Sequence, residues 1–169
     1  MRKLNILTRG LSAVAGLILS GSVAFAAGAG GKIVERDWSF SGPFGNFDKA
    51  SLQRGFQVYR EVCSGCHGLD FIAFRNLADL GYNEAEIKAI AAEYEVEDGP
   101  NDEGEMFMRP GIPADRFPNP FANENAARAA NGGAYPPDLS LMVKARPNGA
   151  NYLYSLLTGY EDAPESMDV

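Results

Sequence analysis

The chain has 169 residues, 46% of them hydrophobic, and carries 15 bases against 22 acids for a formal charge of -7. That length suits one domain built on one core and is short for two. A balance this acidic argues against nucleic acid, whose phosphates call for Lys and Arg, and suits a basic protein partner steered by long-range attraction.

The first segment reads as a targeting signal. Arg2, Lys3 and Arg9 precede a mostly apolar run from Leu11 to Leu19, and Ala24-Phe25-Ala26 offers a small-x-small cleavage site. This predicts a secretory signal peptide over 1–26 and a single domain over 27–169. The alternative is an uncleaved anchor, but the apolar run is short of the about 20 residues that span a bilayer. Cleavage removes all three early bases and no acid, so 12 bases and 22 acids remain and the exported chain sits near -10.

Further along, Asp48 is placed to cap a helix. Leu52, Gly55, Phe56, Tyr59, Val62 and Cys63 then recur at three- and four-residue steps, which predicts one buried stripe. Gly55 costs a helix interior about 1 kcal/mol relative to Ala, so it is expected to mark a close helix crossing. The helix delivers Cys63-Ser64-Gly65-Cys66-His67, a C-x-x-C-H run that is the attachment signature of c-type haem. Positions i and i+3 of a helical turn face the same way, so two sulfurs reach the two vinyl groups of one porphyrin. His67 follows directly, where an imidazole nitrogen can ligate the iron.

His67 is the only histidine in the chain. A tetrahedral zinc site needs four ligands, and only three good ones are present. Cysteine nucleophiles need a histidine base elsewhere. Thioredoxin-like chemistry uses C-x-x-C beside a βαβ pattern, which is not visible here. A periplasmic thiol–disulfide oxidoreductase and a haem enzyme or gas sensor remain as the competing classes.

A second helix is expected after Asn83, with Glu84 and Glu86 in its first turn and Ile87, Ile90, Ala91 and Tyr94 on one face. Between Glu93 and Glu105 lie seven acids without a base, which read either as a solvated loop or as a docking patch. Prolines at 100, 110, 113, 118 and 120 predict a long ordered loop from Gly99 to Ala122, with haem as a candidate anchor. Asn125 to Ala130 suit a short helix, Asp138 is placed to cap another through about Arg146, and Asn151 to cap Tyr152 to Thr158, stopped by Gly159. No repeat and no sustained strand alternation is visible, so the fold is expected to be mainly α with long irregular loops.

Several segments are more specific than the haem motif. They are Trp38-Ser39-Phe40, Leu52 to Tyr59, Arg109-Pro110-Gly111, Ala126 to Gly133, Pro136-Pro137-Asp138-Leu139-Ser140 and Tyr152 to Tyr160. Together they resemble cytochrome c1, the haem subunit of the quinol–cytochrome c reductase (bc1) complex. The resemblance implies one covalent haem c, with thioethers at Cys63 and Cys66 and His67 as axial ligand to the iron. It places Asn131, Ala134, Pro136 and Pro137 along the haem edge, Arg146 on a propionate, and Tyr152, Leu156 and Leu157 around the ring.

It further implies an electron carrier with no bond-making chemistry of its own. Such a subunit takes electrons from the Rieske iron–sulfur protein and passes them to a soluble cytochrome c, beside cytochrome b, at the periplasmic face of the bacterial inner membrane. The family also carries a methionine on the far side of the iron, a later helix that packs on the first, and a C-terminal membrane anchor. Met106, Met108, Met142 and Met167 do not match that ligand's context, so the expectation is a chain truncated at its C-terminus. A short variant is the alternative, and membrane association is expected through the complex or the missing anchor.

Overall fold

The computed structural model describes residues 32–162, which belong to one compact unit, Gly31–Val169. The signal reading of 1–26 and Met167 lie outside the described residues.

Helix α1 runs Lys49–Val58, and Asp48 caps it by accepting the Ser51 amide at 2.6 Å. It then widens into a π-helical turn over Tyr59–Cys63, where the Ser64 amide donates to the Tyr59 carbonyl at 2.8 Å. Single π turns inside helices recur at functional sites, and this one opens onto the haem motif. The buried stripe is narrower than predicted. Phe56 is the one buried side chain of α1, while Val62 is 72% exposed. A Cβ on Gly55 would meet nothing within 4 Å, so no described element crosses there. Instead α1 is fastened at its flank: Lys49 donates to the Asp79 carbonyl and Gln53 to that of Leu80.

A 3-10 helix over Phe74–Leu80 starts where Asn76 accepts the Ala73 amide at 2.9 Å and ends at Gly81, whose φ of +96° a side chain would resist. Helix α2, Glu84–Ala92, has the expected start in reciprocal form: Asn83 accepts from the Glu86 amide and Glu86 accepts from that of Asn83. Phe56, Phe74, Leu77, Ile87, Ile90, Ala91 and Phe117 make the core, and Phe74 has no exposed surface. Burying a side chain of this size contributes roughly 1.5–3 kcal/mol.

Two short strands, β1 Glu95–Asp98 and β2 Phe107–Pro110, form an antiparallel ribbon with Val96 opposite Arg109. Four residues each is too short for alternation to show in sequence, which is why the sequence reads as loop here. The Pro-rich segment after it is anchored on the core. Phe117 lies 4.3 Å from the Phe74 ring centroid, and the Phe74 and Arg75 amides donate to the Asp115 and Pro113 carbonyls. At Gly111 a Cβ would stand 2.6 Å from the Ala91 carbonyl oxygen, so only glycine lets this backbone reach α2.

Helix α3, Glu124–Ala130, is capped by Asn123, which accepts from the Ala126 amide. The last two helices start elsewhere than predicted. Helix α4 covers only Met142–Ala145, with Leu141 before it, and the Asp138 carboxylate accepts the Asp70 and Ser140 amides. Helix α5 is Gly149–Thr158, with Asn148 at φ +66° before it, and Gly159 ends it without adopting the left-handed conformation. Asn151 sits inside α5, where its side-chain oxygen accepts the Trp38 indole N–H at 2.7 Å and the Arg36 amide at 3.3 Å. The segment from Val34 to Trp38 is thereby bound along α5. The architecture is mainly helical with long connections, and no helix among the described residues is long and apolar enough to cross a membrane.

Candidate functional site: the C-x-x-C-H turn

The π turn brings Cys63, Cys66 and His67 onto one tight loop. The Cys63 carbonyl accepts both the Cys66 amide, at 3.1 Å, and the His67 amide, at 2.9 Å. Both cysteines are free thiols, Cys63 partly buried and Cys66 exposed.

His67 is held at three points. Its amide donates to Cys63, its carbonyl accepts the Tyr59 hydroxyl at 3.1 Å, and its Nδ1 lies 2.7 Å from the Pro137 carbonyl. A carbonyl oxygen only accepts, so Nδ1 carries the proton and the lone pair resides on Nε2. An imidazole oriented this way by a carbonyl is also a more basic ligand. Burial, followed by the nearby Tyr94 hydroxyl, pushes Tyr59 up to about 12, so it stays a neutral donor at physiological pH.

Sequence reasoning missed two further supports. The Asp138 carboxylate accepts the Asp70 amide at 2.7 Å and the Ser140 amide at 2.9 Å. Ser140 Oγ accepts the Phe71 amide at 3.1 Å, and the Leu139 amide donates to the Gly68 carbonyl at 3.0 Å. The readable signal was the Asp-x-Ser spacing, which suits an Asp that bonds an amide two residues on. The Tyr59 hydroxyl on the His67 carbonyl left no such signal, since its partner is backbone.

Of the residues expected at the haem edge, Pro137 touches His67 and Pro136 shares a cavity of about 100 Å³ with Cys66, Tyr135 and Asn119. Asn131 donates to the Ala127 carbonyl and accepts the Ala134 amide at its own carbonyl, which shapes the loop between α3 and Pro136. The remaining four form a second group. Arg146 lies over the Tyr152 ring at 5.7 Å, and Leu156 and Leu157 are exposed by 44% and 70% on α5. No hydrogen bond among the described residues links this group to Cys63, Cys66 or His67. A larger cleft of about 860 Å³ runs along α1 between Arg54, Arg60, Tyr82 and Tyr94, and contains none of the three motif residues.

The acidic stretch divides into paired and unpaired charge. Glu93 pairs with Arg60, while Arg109 is held between Asp98 and Asp115, the latter through two bonds of 2.7 and 3.1 Å. The Arg109 hydrogen bonds keep the Asp98 and Asp115 carboxyls below the usual carboxylate range. Glu95, Glu97, Asp102, Glu103 and Glu105 point into solvent around the ribbon.

Two thiols three residues apart on one turn, next to an imidazole with its Nδ1 proton committed and Nε2 able to bind a metal, match the donor set for a covalently held haem. The class this defines is the haem-binding c-type proteins, and comparison with known proteins narrows it. A family model described as Cytochrome C1 family matches residues 38–169. Cytochrome c1 of Rhodospirillum rubrum is 55% identical over 161 residues, covering 95% of this chain and 59% of that protein. A mitochondrial cytochrome c1 haem protein of Arabidopsis thaliana is 54% identical, covering 92% of this chain and 52% of its own length. The Cytochrome b-c1 complex catalytic subunit of Candida albicans is 59% identical over 128 residues, 76% of this chain and 44% of that one. The chain belongs to the Cytochrome C1 family, which implies a haem cofactor. It spans about half the length of the curated relatives it matches.

Proposed function

We propose that this chain carries one covalent haem c on Cys63 and Cys66, with His67 as axial ligand to the iron, and serves as an electron-transfer subunit of a bc1 complex. In this reading it takes electrons from a Rieske iron–sulfur protein, gives them to a soluble cytochrome c, and works beside cytochrome b at the periplasmic face of the membrane after removal of a signal over 1–26. The observation that carries the reading is His67 Nδ1 on the Pro137 carbonyl beside two free thiols. It is supported by relatives named as cytochrome c1 and as a subunit of the cytochrome b-c1 complex.

When bound, the haem supplies a one-electron couple between ferrous and ferric iron. The chain's own residues hold and shield it. Cys63 and Cys66 anchor the ring through thioethers, and His67 presents Nε2 because Pro137 and Tyr59 fix its orientation. Arg146, a permanently charged guanidinium, is suited to a propionate. Tyr152, Leu156 and Leu157 offer an apolar surface for the ring, with Asn131, Ala134, Pro136 and Pro137 along its edge.

The test is expression of the full chain with a c-type maturation system, followed by a pyridine haemochrome spectrum of the denatured, acid–acetone-extracted protein. Haem that stays with the polypeptide is expected, and it should be lost when both cysteines are replaced by alanine. A wild-type chain without covalent haem, carrying a Cys63–Cys66 disulfide instead, overturns the reading in favour of a thiol–disulfide protein.

A further inference from the structure

Pro137 accepts the His67 Nδ1 proton, yet neither Pro136 nor Pro137 has an N–H with which to anchor itself. The hydrogen bonds that fix this segment are made by the residues after it. Asp138 follows immediately, and its two carboxylate oxygens accept one amide from each of the two segments that meet here: Asp70, three residues past His67, and Ser140, two residues past Asp138. Gly68 lies beside the clamp: a Cβ there would stand 3.4 Å from Asp138 Oδ2, an ordinary contact, and 2.3 Å from Asn119 Oδ1, whose side chain would have to move. The Leu139 amide on the Gly68 carbonyl and the Phe71 amide on Ser140 Oγ extend the same clamp.

We infer that Asp138 is a positioning residue for His67: by bridging the Asp70 and Ser140 amides it holds the Pro137 carbonyl on Nδ1, and so sets how strongly the imidazole donates to the iron. This rests on the haem reading above. A hydrogen bond from Nδ1 to a carbonyl raises the basicity of Nε2, and a more basic ligand favours ferric over ferrous iron. Loosening the clamp should favour the reduced form and raise the potential.

The experiment is a spectroelectrochemical titration of the haem-loaded full chain as wild type, Asp138→Ala, Asp138→Asn and Ser140→Ala, with covalent haem content measured for each. Asp138→Ala is expected to shift the ferric/ferrous equilibrium about tenfold toward ferrous, which for one electron is about 59 mV. Asp138→Asn, which keeps one acceptor, and Ser140→Ala, which keeps the charge and the Ser140 amide but removes the acceptor of the Phe71 amide that extends the clamp, should each move it about threefold in the same direction. A pure charge effect makes Asn as large as Ala and leaves Ser140→Ala at the wild-type value, and that pattern overturns the inference, as do unchanged potentials throughout. If Asp138→Ala takes up no haem, the other two variants decide: both raised supports the clamp, anything else overturns it. Covalent haem with unmoved potentials sinks the inference alone, whereas a wild-type chain without haem sinks the proposed function as well.

Discussion

The core lobe and the face that carries the motif are built by different means. Around Phe74, aromatic rings interlock: Phe117 lies at 4.3 Å and Tyr94 at 5.1 Å between centroids. Around His67 the chain relies on directed hydrogen bonds to Pro137, Tyr59 and Cys63, and α5 has no fully buried residue. The difference teaches that stability and function are separable here. The lobe is held by burial, which is non-directional, and the site by hydrogen bonds, whose geometry is specific.

The strongest way to break that comparison is in the lobe. Phe74→Ala should cost about 3–5 kcal/mol in a denaturant melt, because the site it empties is fully enclosed; a loss under about 1 kcal/mol would mean the lobe is not the stabilising unit. Next comes the strap along α5. Asn151→Ala leaves the Trp38 indole N–H and the Arg36 amide without their acceptor and should cost about 1–2 kcal/mol, with a red shift in the emission of Trp38, the sole tryptophan. An unshifted spectrum would show that Asn151 does not hold the strap.

The titrating groups sharpen the contrast. Tyr59 is raised to about 12, so it contributes stability that is fully present below the ordinary tyrosine value of about 10 and is lost as pH rises from there through the folded value. Tyr59→Phe should flatten that alkaline decline. Asp115 is depressed by Arg109, so its contribution is present above about pH 3.9 and is lost as pH falls through the lower folded value. Asp115→Asn should flatten the acid limb and leave the alkaline one alone; identical limbs in variant and wild type would refute the assignment. The smallest stability effect belongs to the ribbon. Replacing Glu95, Glu97, Asp102 and Glu103 with their amides should change stability by under about 0.5 kcal/mol per site, while slowing association with a basic cytochrome and flattening its salt dependence. Stopped-flow rates that match the wild type at low salt would assign these acids to solvation alone.

Some of this is legible in the sequence. Asn83 with Glu86 three residues on announced the start of α2, because capping is local chemistry, and Asp48 announced α1 in the same way. Other polar caps misled. Asp138 and Asn151 have the chemistry of helix starts, but their oxygens are taken by Asp70 and by Trp38 and Arg36, partners 68, 113 and 115 residues away. The stripe through Gly55 and Val62 had helical spacing, yet spacing says which residues share a face and not whether anything covers it.

By itself the sequence determined the chemistry of the donor set and the family, since Cys63, Cys66 and His67 lie within five consecutive residues and covalent connectivity alone brings them together. Only the tertiary structure decided which nitrogen of His67 is taken by a carbonyl and which keeps its lone pair. That choice depends on a carbonyl 70 residues downstream, held by a carboxylate beside it, and contacts of such range follow from packing the whole chain.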